Sequence, residues 1–60
     1  MDLTGKTVLL TGAAGRIGSS IAKQALASGA NLLLSDVAID RLKLLQDELS
    51  LVFPGKTSIV

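Results

Sequence analysis

One stretch decides the fold of this chain: Thr11-Gly12-Ala13-Ala14-Gly15-Arg16-Ile17-Gly18, in which glycines stand at positions 12, 15 and 18. The residues before it, Thr7–Leu10, form a short apolar run with a β-branched start. Such a run predicts a strand that is buried on both faces of a sheet. Helical spacing begins directly after the glycines, so the stretch predicts a tight turn from a strand into a helix.

Helical spacing continues from Ile17 to Ser28, and Gly29 is expected to end this first helix in the left-handed conformation. One face of the helix is predicted to be buried. The apolar positions at helical spacing are Ile17, Ile21, Ala25 and Leu26.

The second half of the chain repeats the alternation. Asn31–Ser35 is a continuous apolar run that predicts a second strand, and Ile39–Leu51 predicts a second helix. Pro54-Gly55 breaks that helix, and Thr57–Val60 predicts a third strand. The expected buried stripe of the second helix is Leu42, Leu45 and Leu49.

Strand, helix, strand, helix, strand with short connections predicts an α/β fold, a parallel sheet with right-handed crossovers. A parallel sheet needs helices on both faces, and this pattern provides only two helices. We therefore expect residues 1–60 to be the N-terminal part of a single Rossmann domain, a doubly wound parallel sheet that continues beyond them. The alternative is a small βαβαβ domain that folds alone, and the small size counts against it.

Composition restricts the possible classes of function. The chain has no cysteine and no histidine, so the sequence predicts neither a disulfide framework nor a metal site. Six basic and five acidic residues give a net charge of +1 without a basic run, which argues against a nucleic-acid partner. No apolar stretch approaches the roughly 18 residues that span a bilayer, and no signal peptide is evident, so we expect a cytoplasmic protein without membrane attachment.

The position of the glycines predicts a dinucleotide site. Gly12 would allow a tight turn, Gly15 would let the backbone approach a pyrophosphate, and Gly18 would let the helix pack closely on the strands. The helix N-terminus adds free N–H groups and the positive end of the helix dipole. The alternative is that these glycines are ordinary turn and packing residues.

Asp36 follows the second strand, 18 residues after Gly18, close to the spacing expected of the acid that binds a ribose. Its carboxylate could accept hydrogen bonds from both adenosine ribose hydroxyls and would exclude a 2′-phosphate, which predicts NAD rather than NADP. The alternatives for Asp36 are a helix N-cap or a solvated loop acid. Asp40 is better placed to serve the start of the second helix.

With these residues in place, the chain resembles the N-terminus of the short-chain dehydrogenase/reductase family over essentially all its residues. The lead-in Leu3–Thr7 and the stretch Val8–Gly18 look like that family's opening strand and cofactor turn. The resemblance implies that Thr11 stabilises the turn and that Asp36 with Val37 flanks the adenosine. It implies a pyrophosphate-binding loop that comprises Gly12, Ala14, Gly15, Arg16, Ile17 and the adjoining Gly18.

Arg16 departs from the family's classical pattern, T-G-x-x-x-G-x-G, which has its middle glycine there. The glycines instead fit T-G-x-x-G-x-x-G, the spacing typical of the extended branch with its sugar-nucleotide epimerases and dehydratases. The lead-in and the segment Ser19–Ala30 look more classical, which favours a classical-like dehydrogenase with a variant turn. Arg16 either lies along the cofactor phosphates or projects into solvent.

The family transfers a hydride between a nicotinamide and a carbonyl or alcohol, using a Tyr-x-x-x-Lys pair and a serine. This chain has no tyrosine, so none of its residues is expected to be catalytic, and the catalytic residues are expected beyond Val60. The main hypothesis is the NAD-binding part of such an oxidoreductase, with a small-molecule substrate and a homo-oligomeric parent. The alternatives are an NAD-dependent sugar-nucleotide epimerase or dehydratase and a non-catalytic NAD-binding module.

Overall fold

The computed structural model describes residues 2–60 and has five regular elements. The three strands form one parallel sheet in the order β1-β2-β3. This arrangement confirms the predicted α/β fold of partial Rossmann type. In chain order the elements are β1 (Thr7–Thr11), α1 (Arg16–Ala27), β2 (Asn31–Ser35), α2 (Ile39–Val52) and β3 (Thr57–Ile59).

Both helices pack on the same face of the sheet. The two crossovers step in the same direction across the sheet, and right-handed connections of that kind place their helices on one side. Leu32 and Leu34 of β2 point to this covered face and are fully buried, whereas Leu33 points to the other face. The prediction that the first strand is buried on both faces is therefore wrong: Leu9 of β1 is 59% exposed.

Helix α1 buries small residues against the sheet. Gly18, Ala22, Ala25 and Leu26 are its buried positions. The expected burial of Ile17 and Ile21 is wrong, because these side chains are 76% and 45% exposed. The N-terminal half of α1 buries Gly18 and Ala22, and a Cβ at Gly18 would already collide with the turn backbone, so the two isoleucines lie outside the contact face. The predicted stripe of α2, Leu42, Leu45 and Leu49, is confirmed.

The end of α1 is a glycine-dependent helix stop, as predicted. Gly29 has a φ of +98°, its N–H donates to the Leu26 carbonyl at 3.0 Å, and the Ala30 N–H donates to the Ala25 carbonyl at 3.1 Å. This pair of bonds is the Schellman motif. A Cβ at Gly29 would also lie 2.6 Å from Thr4 Oγ1, so the N-terminal lead-in packs against the helix end.

The sixty-residue chain made alone is expected not to form a stable monomeric domain. Among residues 2–60, four of the ten buried hydrophobic residues are alanines, and Leu9 and Leu33 lie on the uncovered face of the sheet. A core of this size offsets little of the conformational entropy that folding costs. Circular dichroism on heating should show no cooperative transition. Coincident near- and far-UV transitions of a monodisperse monomer would contradict this expectation.

Candidate functional site

The glycine turn joins the carboxyl end of β1 to the amino end of α1. Gly12 begins it with a φ of +65°, a conformation that favours glycine. The Ala13 N–H donates to the Ser35 carbonyl of β2 at 3.1 Å, and the Gly15 N–H donates to the Gly12 carbonyl at 3.1 Å. The turn is thus closed on itself and tied to the neighbouring strand.

Gly18 is the point where α1 touches this turn. A Cβ at Gly18 would collide with the Gly12 carbonyl oxygen and would lie 2.9 Å from the Ala13 Cα. Both contacts are with backbone that the turn holds in place. Gly18 thus allows close packing of the helix, but its contact is with the turn that follows β1, whereas the sequence predicts a contact with the strands.

Replacing Gly18 with alanine is expected to lower the free energy of unfolding by about 3 kcal/mol, at the upper end of the usual cost of overpacking. The turn backbone cannot retreat without breaking its bond to β2. Thermal unfolding of the complete protein measures the loss. The matched control is Gly15→Ala, whose new Cβ would lie 3.4 Å from the Gly12 carbonyl oxygen and should leave the melting temperature nearly unchanged. Equal stability of the two variants would contradict the packing role.

Gly15 differs from the other glycines of the turn, because neither its backbone conformation nor its contacts within residues 2–60 require a glycine there. Its φ of −77° and ψ of 167° are extended values that any residue adopts. A Cβ would make only an ordinary contact, at 3.4 Å from the Gly12 carbonyl oxygen. The contacts and backbone conformation of this segment therefore do not account for a glycine at position 15.

The N-terminus of α1 is uncapped. Gly15 occupies the N-cap position and supplies no side-chain hydrogen bond, and the first turn contains no acidic residue. The N–H groups of the first helical turn, at Arg16 and Ile17, thus have no side-chain acceptor. An uncapped start of a 12-residue helix combines free N–H donors with the positive end of the helix dipole, a combination that suits an anion such as phosphate.

Asp36 lies beside this turn, and each oxygen of its carboxylate accepts a backbone N–H, one in the turn and one ahead of α2. Its Oδ2 accepts the N–H of Ala14 at 3.0 Å, and its Oδ1 accepts the N–H of Ala38 at 2.9 Å. The bond to Ala38 closes an Asx turn ahead of α2, whose N-cap is Ala38 itself. Asp36 is therefore neither the N-cap of α2 nor a purely solvated acid. Asp40 lies in the first turn of α2, as expected.

These hydrogen bonds favour the charged form of Asp36. The backbone N–H of Ala38, followed by that of Ala14, lowers the pKa of the carboxyl below its ordinary value of 3.8, and the positive charge of Arg41 adds a smaller effect. The carboxylate accordingly remains an acceptor for both amides throughout the neutral range.

The stability that Asp36 contributes should depend on pH in one direction. A carboxyl whose folded-state pKa is lowered contributes fully above its unfolded pKa and loses its contribution as the pH falls through the folded value, below 3.8. The melting temperature of wild type should therefore exceed that of Asp36→Asn at pH 7, and this difference should disappear under acid conditions below pH 3.8. A gap that stays constant down to the lowest pH would show that the charge of Asp36 is not involved.

An open cleft of about 290 Å³ lies at the carboxyl ends of β1 and β2. Ligands of open parallel sheets bind at this end of the strands. Val37 projects almost entirely into solvent, with 99% of it exposed, at the rim of the cleft. The cleft is lined by Thr11, Gly12, Ser35, Asp36 and Val37.

The structure thus brings together most residues that the sequence singled out. Thr11, Gly12, Asp36 and Val37 share the cleft, while Gly15, Arg16 and Ile17 form the adjoining helix start. Ala14 lies between them with its N–H already bonded to Asp36. Gly18 is buried beneath the turn, whereas Arg16 is exposed. The Ser19 hydroxyl donates to the Arg16 backbone carbonyl at 3.0 Å.

Two contributors were not anticipated from the sequence. Ser35 lines the cleft and accepts the Ala13 N–H, and Ala38 donates to Asp36. The register of the sheet could have identified Ser35, because it pairs with Thr11 at the ends of two parallel strands. Within residues 2–60 no group of three acidic, histidine or cysteine side chains could hold a metal ion, and no helix is long and apolar enough to cross a membrane.

Comparison with known proteins agrees with this geometry. The chain is 45% identical over 49 residues to the short chain dehydrogenase/reductase dpmpG of Macrophomina phaseolina, a match that covers 82% of this chain. It is 51% identical over 47 residues to the oxidoreductase UcpA of Salmonella typhimurium, and equally to that of Salmonella typhi, over 78% of this chain. The resemblance to the short-chain dehydrogenase/reductase family is confirmed.

The chain spans less than a third of the length of these relatives. The matches cover 28% of dpmpG and 18% of each UcpA protein. No protein-family model and no solved structure matches the chain.

Proposed function

We propose that this chain is the NAD-binding part of a short-chain dehydrogenase/reductase, an enzyme that transfers a hydride between a nicotinamide and a carbonyl or alcohol group. Residues 1–60 would form the start of its single Rossmann domain. The bound nicotinamide would supply the hydride chemistry. The residues of this chain would hold and orient the other end of the cofactor.

The observation that carries the proposal is the bare backbone at Gly15 beside an uncapped helix. The fold explains Gly12 by its φ of +65° and Gly18 by its contact with the turn, but it does not require glycine at position 15. A pyrophosphate that approaches the turn does require it, because a side chain there would occupy the space of the phosphate oxygens. The N–H groups of Arg16 and Ile17 would then bind the phosphates.

Asp36 and Val37 would hold the adenosine end of the cofactor. Each oxygen of the Asp36 carboxylate accepts one backbone N–H, which leaves further acceptor capacity for the hydroxyls of a ribose in the cleft. Val37 offers an exposed apolar side chain at the cleft rim for the adenine ring. This arrangement supports NAD as the cofactor.

The relatives named as a dehydrogenase/reductase and as oxidoreductases support redox chemistry on a small-molecule substrate. The glycine spacing T-G-x-x-G-x-x-G over residues 11–18 supports a second candidate, a sugar-nucleotide epimerase or dehydratase that also binds NAD. We further propose a cytoplasmic, homo-oligomeric enzyme with its catalytic residues beyond Val60.

Titration of the full-length protein with NADH tests the proposal. The expected result is saturable binding, measured by calorimetry and by the change in nicotinamide fluorescence. NAD-dependent oxidation of an alcohol without net isomerisation of a nucleotide sugar would favour the first candidate over the second. Absence of saturable binding by a folded protein would refute both.

A further inference from the structure

We propose that Asp36 is a positioning residue: its carboxylate bonds to the Ala14 N–H in the glycine turn and to the Ala38 N–H ahead of α2, and so holds these segments together before any ligand binds. We call this pair of hydrogen bonds the latch. The role rests on the proposed function, since that identifies what the turn binds. This role is distinct from contact with the ribose, because the carboxylate would also maintain the conformation of the phosphate-binding turn.

The latch joins two segments that are distant in sequence. Ala14 lies 22 residues before Asp36, and its N–H reaches Oδ2 at 3.0 Å in a part-buried bond. Ala38 lies on the other side and reaches Oδ1 at 2.9 Å. One rigid, planar group with an acceptor for each segment therefore fixes the distance between the turn and the β2–α2 connection.

The turn depends on this bond because the amides on either side of Ala14 already have backbone acceptors. Ala13 donates to β2, and Gly15 donates back to Gly12 within the turn. The Ala14 N–H lies between them, and Asp36 provides its acceptor. Loss of the carboxylate would leave this part-buried donor without its partner, and the local backbone would be expected to rotate toward water.

A latch and a ribose contact predict different behaviour toward a cofactor that lacks ribose hydroxyls. A carboxylate that only binds those hydroxyls is irrelevant to such an analogue. A carboxylate that also shapes the turn matters for any ligand whose phosphates bind there. Since affinity for phosphate depends on aligned N–H donors, the latch should affect both kinds of ligand.

The experiment uses the full-length protein, NADH, and an NADH analogue without the 2′ and 3′ hydroxyls of the adenosine ribose. Asp36→Ala should bind the analogue about tenfold more weakly than wild type does, measured at a temperature well below the lowered melting temperature of the variant and with its far-UV spectrum nearly unchanged. The matched control is Asp40→Asn, which removes a nearby charge and should bind the analogue like wild type. Equal affinity of wild type and Asp36→Ala for the analogue would overturn the latch.

If Asp36→Ala fails to fold, amide hydrogen exchange of the ligand-free Asp36→Asn protein tests the latch instead. Asp36→Asn retains only one acceptor oxygen for the two amides. Exchange at Ala14 or Ala38 should accelerate about tenfold relative to exchange at the core amide of Leu34, which corrects for any change in global stability. Unchanged exchange at both residues would overturn the proposal. This measurement needs no ligand, so failure of wild type to bind NADH would refute the proposed function and leave the latch to be judged separately.

Discussion

Replacement of Gly15 with valine is expected to weaken NAD binding by the full-length protein about a hundredfold or more, while the protein stays folded. The branched side chain would stand where the backbone approaches the pyrophosphate and would block the N–H groups of the first helical turn. Two charge-assisted hydrogen bonds at about 1.5 kcal/mol each already account for a factor of this size.

Gly15 is a better position for this experiment than Gly12. Valine at Gly12 would have to adopt a φ of +65°, which strains any branched residue, so lost binding there could reflect a damaged turn. At Gly15 the backbone is extended, and a Cβ would make a single contact, at 3.4 Å from the Gly12 carbonyl oxygen. Ala27→Val, at the exposed end of α1, introduces the same side chain away from the site and should bind NAD normally. Unchanged calorimetric affinity in a folded Gly15→Val protein would place the pyrophosphate elsewhere.

A preference for NAD over NADP of about a hundredfold is the second expected result. The Asp36 carboxylate would gain charge-assisted hydrogen bonds to the ribose hydroxyls of NAD, each worth roughly 1.5 to 3 kcal/mol. Toward NADP it would instead meet the 2′-phosphate, so the bonds would be lost and like charges brought together. The lowered pKa of Asp36 ensures that this carboxylate is charged at neutral pH.

Substitutions at the cleft should reduce this discrimination in steps. Asp36→Ala should bind NAD more weakly, so the ratio of its affinities for NAD and NADP should fall. Adding Val37→Arg should lower this ratio further, because the arginine offers the 2′-phosphate a positive charge. The exposed Arg16 acts in the opposite direction in wild type if its guanidinium reaches the 2′-phosphate. Steady-state kinetics with both cofactors measure the effect. A wild-type preference for NADP would show that Asp36 does not discriminate at the ribose.

Much of this fold follows from local sequence patterns. Asn31–Ser35 is a strand with the predicted bounds, and Gly29 ends α1 as expected. The other elements differ from the predicted bounds by one residue. The leucine stripe of α2 was predictable because Leu42, Leu45 and Leu49 recur at helical spacing on one face, although the helix also carries exposed leucines at positions 44 and 51.

The buried face of α1 was not predictable from hydrophobicity. Ile17 and Ile21 are the larger apolar side chains, but Gly18 and Ala22 are the ones that the short distance to the sheet admits. That distance is a tertiary property, set by the contact of Gly18 with the turn. The bond between Asp36 and Ala14 was equally inaccessible, because it joins residues that come together only when β1 and β2 pair in register.

The contact at Gly18 also bears on how a ligand would be received. At Gly12 and Ala13 the turn is pressed against its helix, with no space for even one methyl group between them, so this part of the turn cannot open or close independently of that helix. The phosphate-binding surface would then be a preformed part of the scaffold rather than a loop that orders around its ligand. Binding at such a surface spares the conformational entropy that a flexible loop loses, and that saving appears directly as affinity.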